Sequence, residues 1–324
     1  MARVAVTSPL PGEALDQLAT LHQVTVRQGP PLSGEALATF VGNAEALICL
    51  LADRVDAVVF ERAKQLRVVA VYAVGVNNVD LPAAYGAGVW VTNTPDVLTD
   101  ATADLTMALL LAVTRRVVEG DRFLREGRFT GWSPDLLLGT GLQGKHLGIV
   151  GFGRIGQAVA RRALAFGMKV MYHSRRPHPE AGLPEAIWVS DLDALLGQVD
   201  VVSLHCPLTP QTRHLLNRRR LFQMRKGAFL INAARGEVVE EGALVEALTS
   251  GHLAGAGLDV YEHEPQVHPG LVNLPNVVLL PHLGSATRET REAMARLVVE
   301  NVRAVLAGGP PATPVVGPGL PPPT

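Results

Sequence analysis

Residues 144–176 read GKHLGIVGFGRIGQAVARRALAFGMKVMYHSRR. An apolar run at 146–150 meets Gly151-Phe152-Gly153-Arg154-Ile155-Gly156, an amphipathic stretch follows, and a second apolar run ends near His173. A G-x-G-x-x-G by chance is common; one set between a strand and a helix is a dinucleotide-binding turn. Gly151 permits the tight turn, Gly153 lets a pyrophosphate reach the backbone, and Gly156 lets helix and strand pack closely. The helix opening at Arg154 and Ile155 presents backbone N–H groups to phosphate. Such a βαβ unit implies a parallel sheet with helices on its faces.

The same rhythm extends in both directions. RVAVTS (3–8), ALICLL (46–51), RVVAVYAVG (67–75) and VWVTNTP (89–95) read as strands with helical stretches between them. After a helix that begins near Leu98 and runs past Thr114, a second set follows: HLGIVG, KVMYHS, DVVSLH, AFLINA, AGAGLDV and VVLLPH. A last helix spans about Ser285 to Leu306, and the Pro- and Gly-rich residues after Gly308 read as an extended tail. A chain of 324 residues is long for one core. The expected fold is α/β, with two Rossmann-like or flavodoxin-like doubly wound parallel-sheet domains and a cleft between them. Residues 1–98 plus 288–324 would form a discontinuous substrate domain, and 99–287 the dinucleotide domain. A cleft of that kind is where a ligand is expected.

Composition removes several classes of function. A net charge of -1 offers no field for nucleic acid or an anionic membrane. LTMALLLAV (105–113) is too short to cross a bilayer, and the N-terminal MARVAVTSPLPGE lacks a signal peptide's long apolar region. Two isolated cysteines, Cys49 and Cys206, suggest a reducing compartment, so a cytoplasmic protein is expected. His263, Glu264 and His268 could suggest a metal, but they lack H-E-x-x-H spacing and Pro265 would break such a helix. No metal is expected.

The end of the second strand bears on the cofactor. NAD-binding proteins usually carry Asp or Glu there for the ribose 2′-hydroxyl. This chain has Ser174, Arg175 and Arg176. A carboxylate repels a 2′-phosphate, whereas a hydroxyl and two guanidiniums can bind one. NADP(H) is therefore expected ahead of NAD(H).

Four further stretches complete the pattern: YAVGVNNVD (72–80), INAARGEVV (231–239), LDVYEHEP (258–265) and PHLGSA (281–286). In this order, with the glycine turn, they resemble the D-isomer-specific 2-hydroxyacid dehydrogenases from about Ala46 to Arg303. FLREGRFTGWSPDLLLGTGLQGK (123–145) and YHSRR (172–176) look most like the glyoxylate/hydroxypyruvate reductases within that family.

The resemblance implies hydride transfer to a small 2-keto acid such as glyoxylate or hydroxypyruvate. It implies that Arg235 binds the substrate carboxylate and polarises the carbonyl. His282 would be the general acid, and Glu264 its partner, since a neighbouring carboxylate favours an imidazolium. Asp259 and Thr102 would lie near the nicotinamide, with Ala233 and Gly284 also toward the cofactor. His205, Pro207 and Thr212 would flank its adenosine end. The backbone of Val74, Gly75 and Val76 would hold the substrate carboxylate, Leu51 would line the pocket, and Ser285 would assist. Asn93, Thr94 and Pro95 resemble the turn closing the first domain. Trp132 matches a residue that reaches a neighbouring subunit, which implies a homodimer. The alternatives are another family member (D-3-phosphoglycerate or D-lactate dehydrogenase) or a dinucleotide-sensing regulator without turnover, since a fold does not fix a function.

Overall fold

Strands buried on both faces read as unbroken apolar runs, and the runs of this chain form two such sheets in a computed structural model that describes residues 1–322. The chain divides into two units, Met1–Leu98 with the segment from Ser285 onward, and Thr99–Gly284.

In the first unit, β1 (Arg3–Val6), β2 (Gln23–Val26), β3 (Ala46–Cys49), β4 (Val68–Val71) and β5 (Trp90–Thr92) lie parallel in the order β2-β1-β3-β4-β5. Every residue of β3 and β4 is buried. The order reverses between β1 and β3, so the loops after those two strands part at the carboxyl edge and leave a crevice there.

The second unit holds β6 (His146–Val150), β7 (Lys169–His173), β8 (Ile187–Trp188), β9 (Val201–Leu204), β10 (Ala228–Asn232), β11 (Leu253–Leu258) and β12 (Val277–Leu279). All are parallel, in the order β12-β11-β10-β9-β6-β7-β8. Its reversal falls between β6 and β9. Leu109 and Leu110 of the helix Thr99–Thr114 pack with Ile149, Phe229 and Ile231 in this unit's core.

The chain then returns to the first unit. The helix Arg288–Leu306 is capped by Thr287, whose hydroxyl accepts from the Thr290 N–H at 3.1 Å. Its Ala295, Val298, Val299 and Val302 recur at helical spacing and pack with Val4, Ile48, Val68 and Ala70. A final strand, β13 (Pro314–Val316), pairs antiparallel with β5.

The α/β architecture with two doubly wound parallel sheets is the one the strand rhythm implies. Four local readings need correction. The Pro- and Gly-rich residues after Gly308 are not simply an extended tail but are packed: Val316 is wholly buried, and a Cβ on Gly317 would lie 2.0 Å from Cε3 of the Trp90 indole. Of that stretch, residues 323 and 324 lie outside the described residues. The helix from Leu98 starts at Thr99 and stops at Thr114, because Arg116 takes a left-handed φ of 54° before a new helix, Val117–Arg125. The last helix begins at Arg288 rather than Ser285 because its cap is Thr287. The strands β2 and β8 went unread: both are mostly exposed edges, without the apolar run that marks a buried strand. Among the described residues, no helix is long and apolar enough to cross a membrane.

Candidate active site

The glycine turn sits at the reversal point of the second sheet. Gly151, with φ 94°, follows β6 and presses on the loop after β9; a Cβ there would lie 2.5 Å from the Cys206 nitrogen. A Cβ on Gly156 would strike the Gly151 carbonyl oxygen, so helix and strand approach at backbone distance. Gly153 differs, with no atom within 4 Å of the position a Cβ would take. It stands where a side-chain cap for the helix Arg154–Ala165 would be, and no side chain fills that role. Open backbone before a helix N-terminus at Arg154 and Ile155 is a cradle for a pyrophosphate, and these residues fit a dinucleotide.

The rim of the cradle is ordered by its own hydrogen bonds. The Ser174 hydroxyl donates to the Arg176 carbonyl at 2.6 Å, and the Trp188 indole N–H donates to the Ser174 carbonyl at 3.2 Å. Arg175 is exposed, and Arg176 lies 3.6 Å from Glu180. Thr212 donates to the Pro207 carbonyl at 2.6 Å and accepts from the Thr209 N–H at 2.8 Å, closing the loop after β9. His205 sits 2.8 Å from the Ser203 hydroxyl, and burial pushes its imidazole down to about 4.

The strand ends beyond hold the residues with chemistry. Asp259, 1% exposed, follows β11 and binds three successive N–H groups of the 282–284 loop. Its carbonyl accepts from His282 at 2.9 Å, and its carboxylate from Leu283 at 2.6 Å and Gly284 at 2.8 Å. That grip holds His282 at φ 56°, a conformation a non-glycine residue keeps only when its surroundings impose it. Burial raises the Asp259 carboxyl above its usual range, against the pull of the Leu283 N–H and the His282 charge. Thr102 donates to the Gly284 carbonyl at 3.1 Å and secures the far side of the loop.

His282 Nδ1 lies 2.9 Å from Glu264 Oε2, and Glu264 Oε1 accepts from the Tyr261 N–H at 3.1 Å. Partial burial opposes ionisation of Glu264. It is outweighed by the His282 hydrogen bond and charge, the Tyr261 N–H and the Arg235 charge, which hold the carboxyl below the usual range. Arg235 is half-buried; burial works against its charge, and Glu264 and Glu237 work for it. Its loop is tied by Asn232, whose amide donates to the Arg235 carbonyl at 2.9 Å and accepts from the Ala234 N–H at 3.1 Å, with Ala233 between them.

Some of this support escaped the sequence reading. Gly236 backs directly onto the Tyr261–Glu262 main chain, where any Cβ would collide with the Tyr261 carbonyl. That contact brings the Arg235 loop beside the turn bearing Glu264. Glu241 and Glu262 each accept the other's N–H, at 2.8 and 3.2 Å, and fasten the turn to the helix Glu241–Thr249. A glycine next to the arginine in ARGE was the only hint in the sequence. His268 caps the short helix Pro269–Val272, its Nδ1 accepting from the Gly270 N–H at 3.1 Å, and Glu264 is engaged with His282.

The remaining candidates belong to the first unit. Asp53, 2% exposed, follows β3 and accepts from the Thr7 hydroxyl at 2.5 Å and the Leu50 N–H at 2.9 Å. Asn78 donates to the carbonyls of Leu50 and Asp53 at 3.0 and 2.9 Å. The loop of Leu51 after β3 and the loop of Val74 and Gly75 after the neighbouring β4 are thereby stitched together. Ser285 begins the return to this unit. Trp132 is 82% exposed.

The His205 shift has a sign that can be tested. Unfolded histidine protonates near 6.5 and the folded imidazole only near 4, so the unfolded chain binds more protons between these values. His205 therefore contributes stability that is present above pH 6.5 and is lost as pH falls toward 4, up to about 3 kcal/mol. The His205→Gln variant should lose less stability than the parent between pH 6.5 and 4, as read from urea midpoints. Parallel pH curves would contradict this.

Comparison with known proteins agrees with this geometry. The sequence model described as the D-isomer specific 2-hydroxyacid dehydrogenase, NAD binding domain, matches residues 107–284. The chain is 47% identical to a glyoxylate reductase of Thermococcus litoralis over 312 residues, 94% of either chain. A crystal structure of a Thermus thermophilus protein superposes with a TM-score of 0.92 at 57% identity, covering 97% of this chain and 100% of that one. An NADPH-dependent glyoxylate/hydroxypyruvate reductase of Sinorhizobium meliloti, solved with NADP and malonate, superposes at 0.86 and 34% identity, covering 97% and 96%. With a dinucleotide cradle, a carboxylate-paired histidine and these relatives along nearly its whole length, the chain belongs to the D-isomer specific 2-hydroxyacid dehydrogenase family.

Proposed function

We propose that the protein reduces small 2-keto acids, glyoxylate and hydroxypyruvate foremost, with NADPH preferred to NADH. The observation that carries this reading is the His282–Glu264 pair at 2.9 Å, with the Arg235 charge acting on the same carboxylate. In this reading the dinucleotide domain expected over 99–287 binds the cofactor, and Leu51, Ser285 and the N–H groups of Val74 and Gly75 meet the substrate. The dinucleotide, when bound, supplies the hydride.

The residues divide the remaining work. Arg235 grips the keto-acid carboxylate with its fork and polarises the carbonyl. His282 gives its Nε2 proton to the carbonyl oxygen, while Nδ1–H stays on Glu264. Glu264, held ionised by its partners, fixes the ring's orientation through Nδ1. Asp259, Thr102 and Gly284 hold the histidine loop in place, and Ala233 shapes the floor beside the cofactor.

The cofactor preference rests on Ser174, Arg175 and Arg176, with no acidic residue among them. Arg176 must leave Glu180 to meet a 2′-phosphate, but a solvent-exposed pair 3.6 Å apart holds it only weakly. Charge-assisted bonds to phosphate are stronger. The Gly151–Gly156 turn, with His205, Pro207 and Thr212, takes the rest of the dinucleotide. Two buried free thiols, Cys49 and Cys206, fit a reducing cytoplasmic setting.

We also propose a homodimer. The helix Val117–Arg125 buries none of its residues, and Val117, Leu124, Phe129, Trp132 and Leu138 are all at least half exposed. Apolar groups gathered in one stretch of chain favour a partner surface, and Trp132 would enter the neighbouring subunit. Light scattering should give twice the 34.4 kDa chain mass; a monomer at micromolar concentration would remove this proposal.

With glyoxylate, kcat/KM for NADPH should exceed that for NADH by about tenfold or more, and the joint change of Arg175 and Arg176 to Ala should erase most of the difference. An NADH preference in the parent would overturn the cofactor assignment. His282→Ala should lower kcat by roughly 10²- to 10⁴-fold, the usual worth of a general acid, with keto-acid binding retained through Arg235. Near-normal turnover in that variant would take His282 out of the reaction.

A further inference from the structure

We infer that Thr313, in the proline-rich C-terminal segment, is a positioning residue for the substrate-binding loop. This rests on the reading above, in which the N–H groups beside Val74 and Gly75 take the keto-acid carboxylate.

A continuous path of hydrogen bonds joins the two. Asn301, wholly buried in the helix Arg288–Leu306, grips Thr313 reciprocally: its amide donates to the Thr313 hydroxyl at 2.8 Å and accepts from the Thr313 N–H at 3.0 Å. The Thr313 hydroxyl donates to the Asn93 carbonyl at 2.6 Å, and the Asn93 N–H meets the Thr313 carbonyl at 3.4 Å. Asn93, with its main chain held, extends its amide to the Val74 carbonyl at 2.8 Å. The next residue joins in, the Thr94 N–H donating to Ala73 at 2.8 Å.

The last link carries the consequence. Val74 C=O and Gly75 N–H belong to one planar trans peptide, and they point in opposite directions. Fixing the carbonyl on Asn93 therefore fixes the direction in which the Gly75 N–H faces a substrate carboxylate. The far end of the loop is held separately by Asn78 on Leu50 and Asp53. With Thr313 in place the donor is aimed before substrate arrives, so binding does not also bear the cost of ordering it. The strand β13, the buried Val316 and the contact of Gly317 with Trp90 keep the segment seated.

Thr313→Val keeps the side-chain shape and removes the hydroxyl. Loss of one net hydrogen bond's worth of aim should raise KM for glyoxylate about five- to tenfold. The kcat should stay within about twofold and the NADPH dissociation constant should not move, because Arg235, His282 and the glycine turn are untouched. Thr313→Ser should restore KM. If Thr313→Val does not fold, Thr313→Ala, with room for water beside Asn301, carries the same expectation. A lower melting temperature with unchanged KM would mean that Thr313 only anchors the terminus, and would overturn the inference. Asn93→Ala separates the two layers: a raised KM there with a normal KM in the Thr313 variants sinks the strap and leaves the loop reading standing. An unchanged KM in both sinks the loop reading as well.

Discussion

The histidine loop follows a short edge strand, and nothing in its own sequence holds it still. What holds it is chiefly a buried residue, Asp259, which engages the N–H groups of His282, Leu283 and Gly284 in turn, with Thr102 bonded to the Gly284 carbonyl on the far side. A carboxylate removed from water costs free energy unless its oxygens are satisfied, and here both accept main-chain donors. The loop cannot relax without stranding that carboxylate, so His282 stays in a left-handed conformation that its own preferences disfavour. Orientation of the imidazole toward Glu264 depends on this grip.

The first unit uses a related device. Asp53 is also buried, also follows a central strand, and also gathers donors from separate segments: Thr7, Leu32 and Leu50. Asp53 stands beside the point where strand order reverses in its sheet, whereas Asp259 follows β11, two strands away from the reversal in its own. Loops that leave the ends of parallel strands have unpaired backbone groups at their base, and a short acidic side chain can satisfy several at once.

Much was legible in the residues. The aliphatic runs of β3, β4, β9 and β10 are buried along their whole length, and such runs admit few readings once a glycine turn has fixed the parallel topology. The pairing of His282 with Glu264 followed from motif order. The edges were less readable: Gln23–Val26 and Ile187–Trp188 are held by ladder bonds to a neighbour, and their side chains carry little apolar pattern. The terminal segment misled for the opposite reason. Its prolines and glycines match a free tail in composition, yet the absence of a Cβ at Gly317 is what lets it lie against Trp90.

The sequence alone determined the two parallel sheets and the glycine turn, because apolar periodicity and glycine spacing are local properties of the chain. Arg235, Glu264 and His282 were singled out only through the resemblance of their motifs to a family. Only the tertiary structure decided that Gly236 brings Arg235 beside Glu264, that Asp259 imposes the conformation of His282, and that Thr313 reaches the Val74 loop through Asn93. These are contacts between segments 19 to 220 residues apart. Such contacts depend on how strands are ordered and loops are closed, which no window along the chain contains.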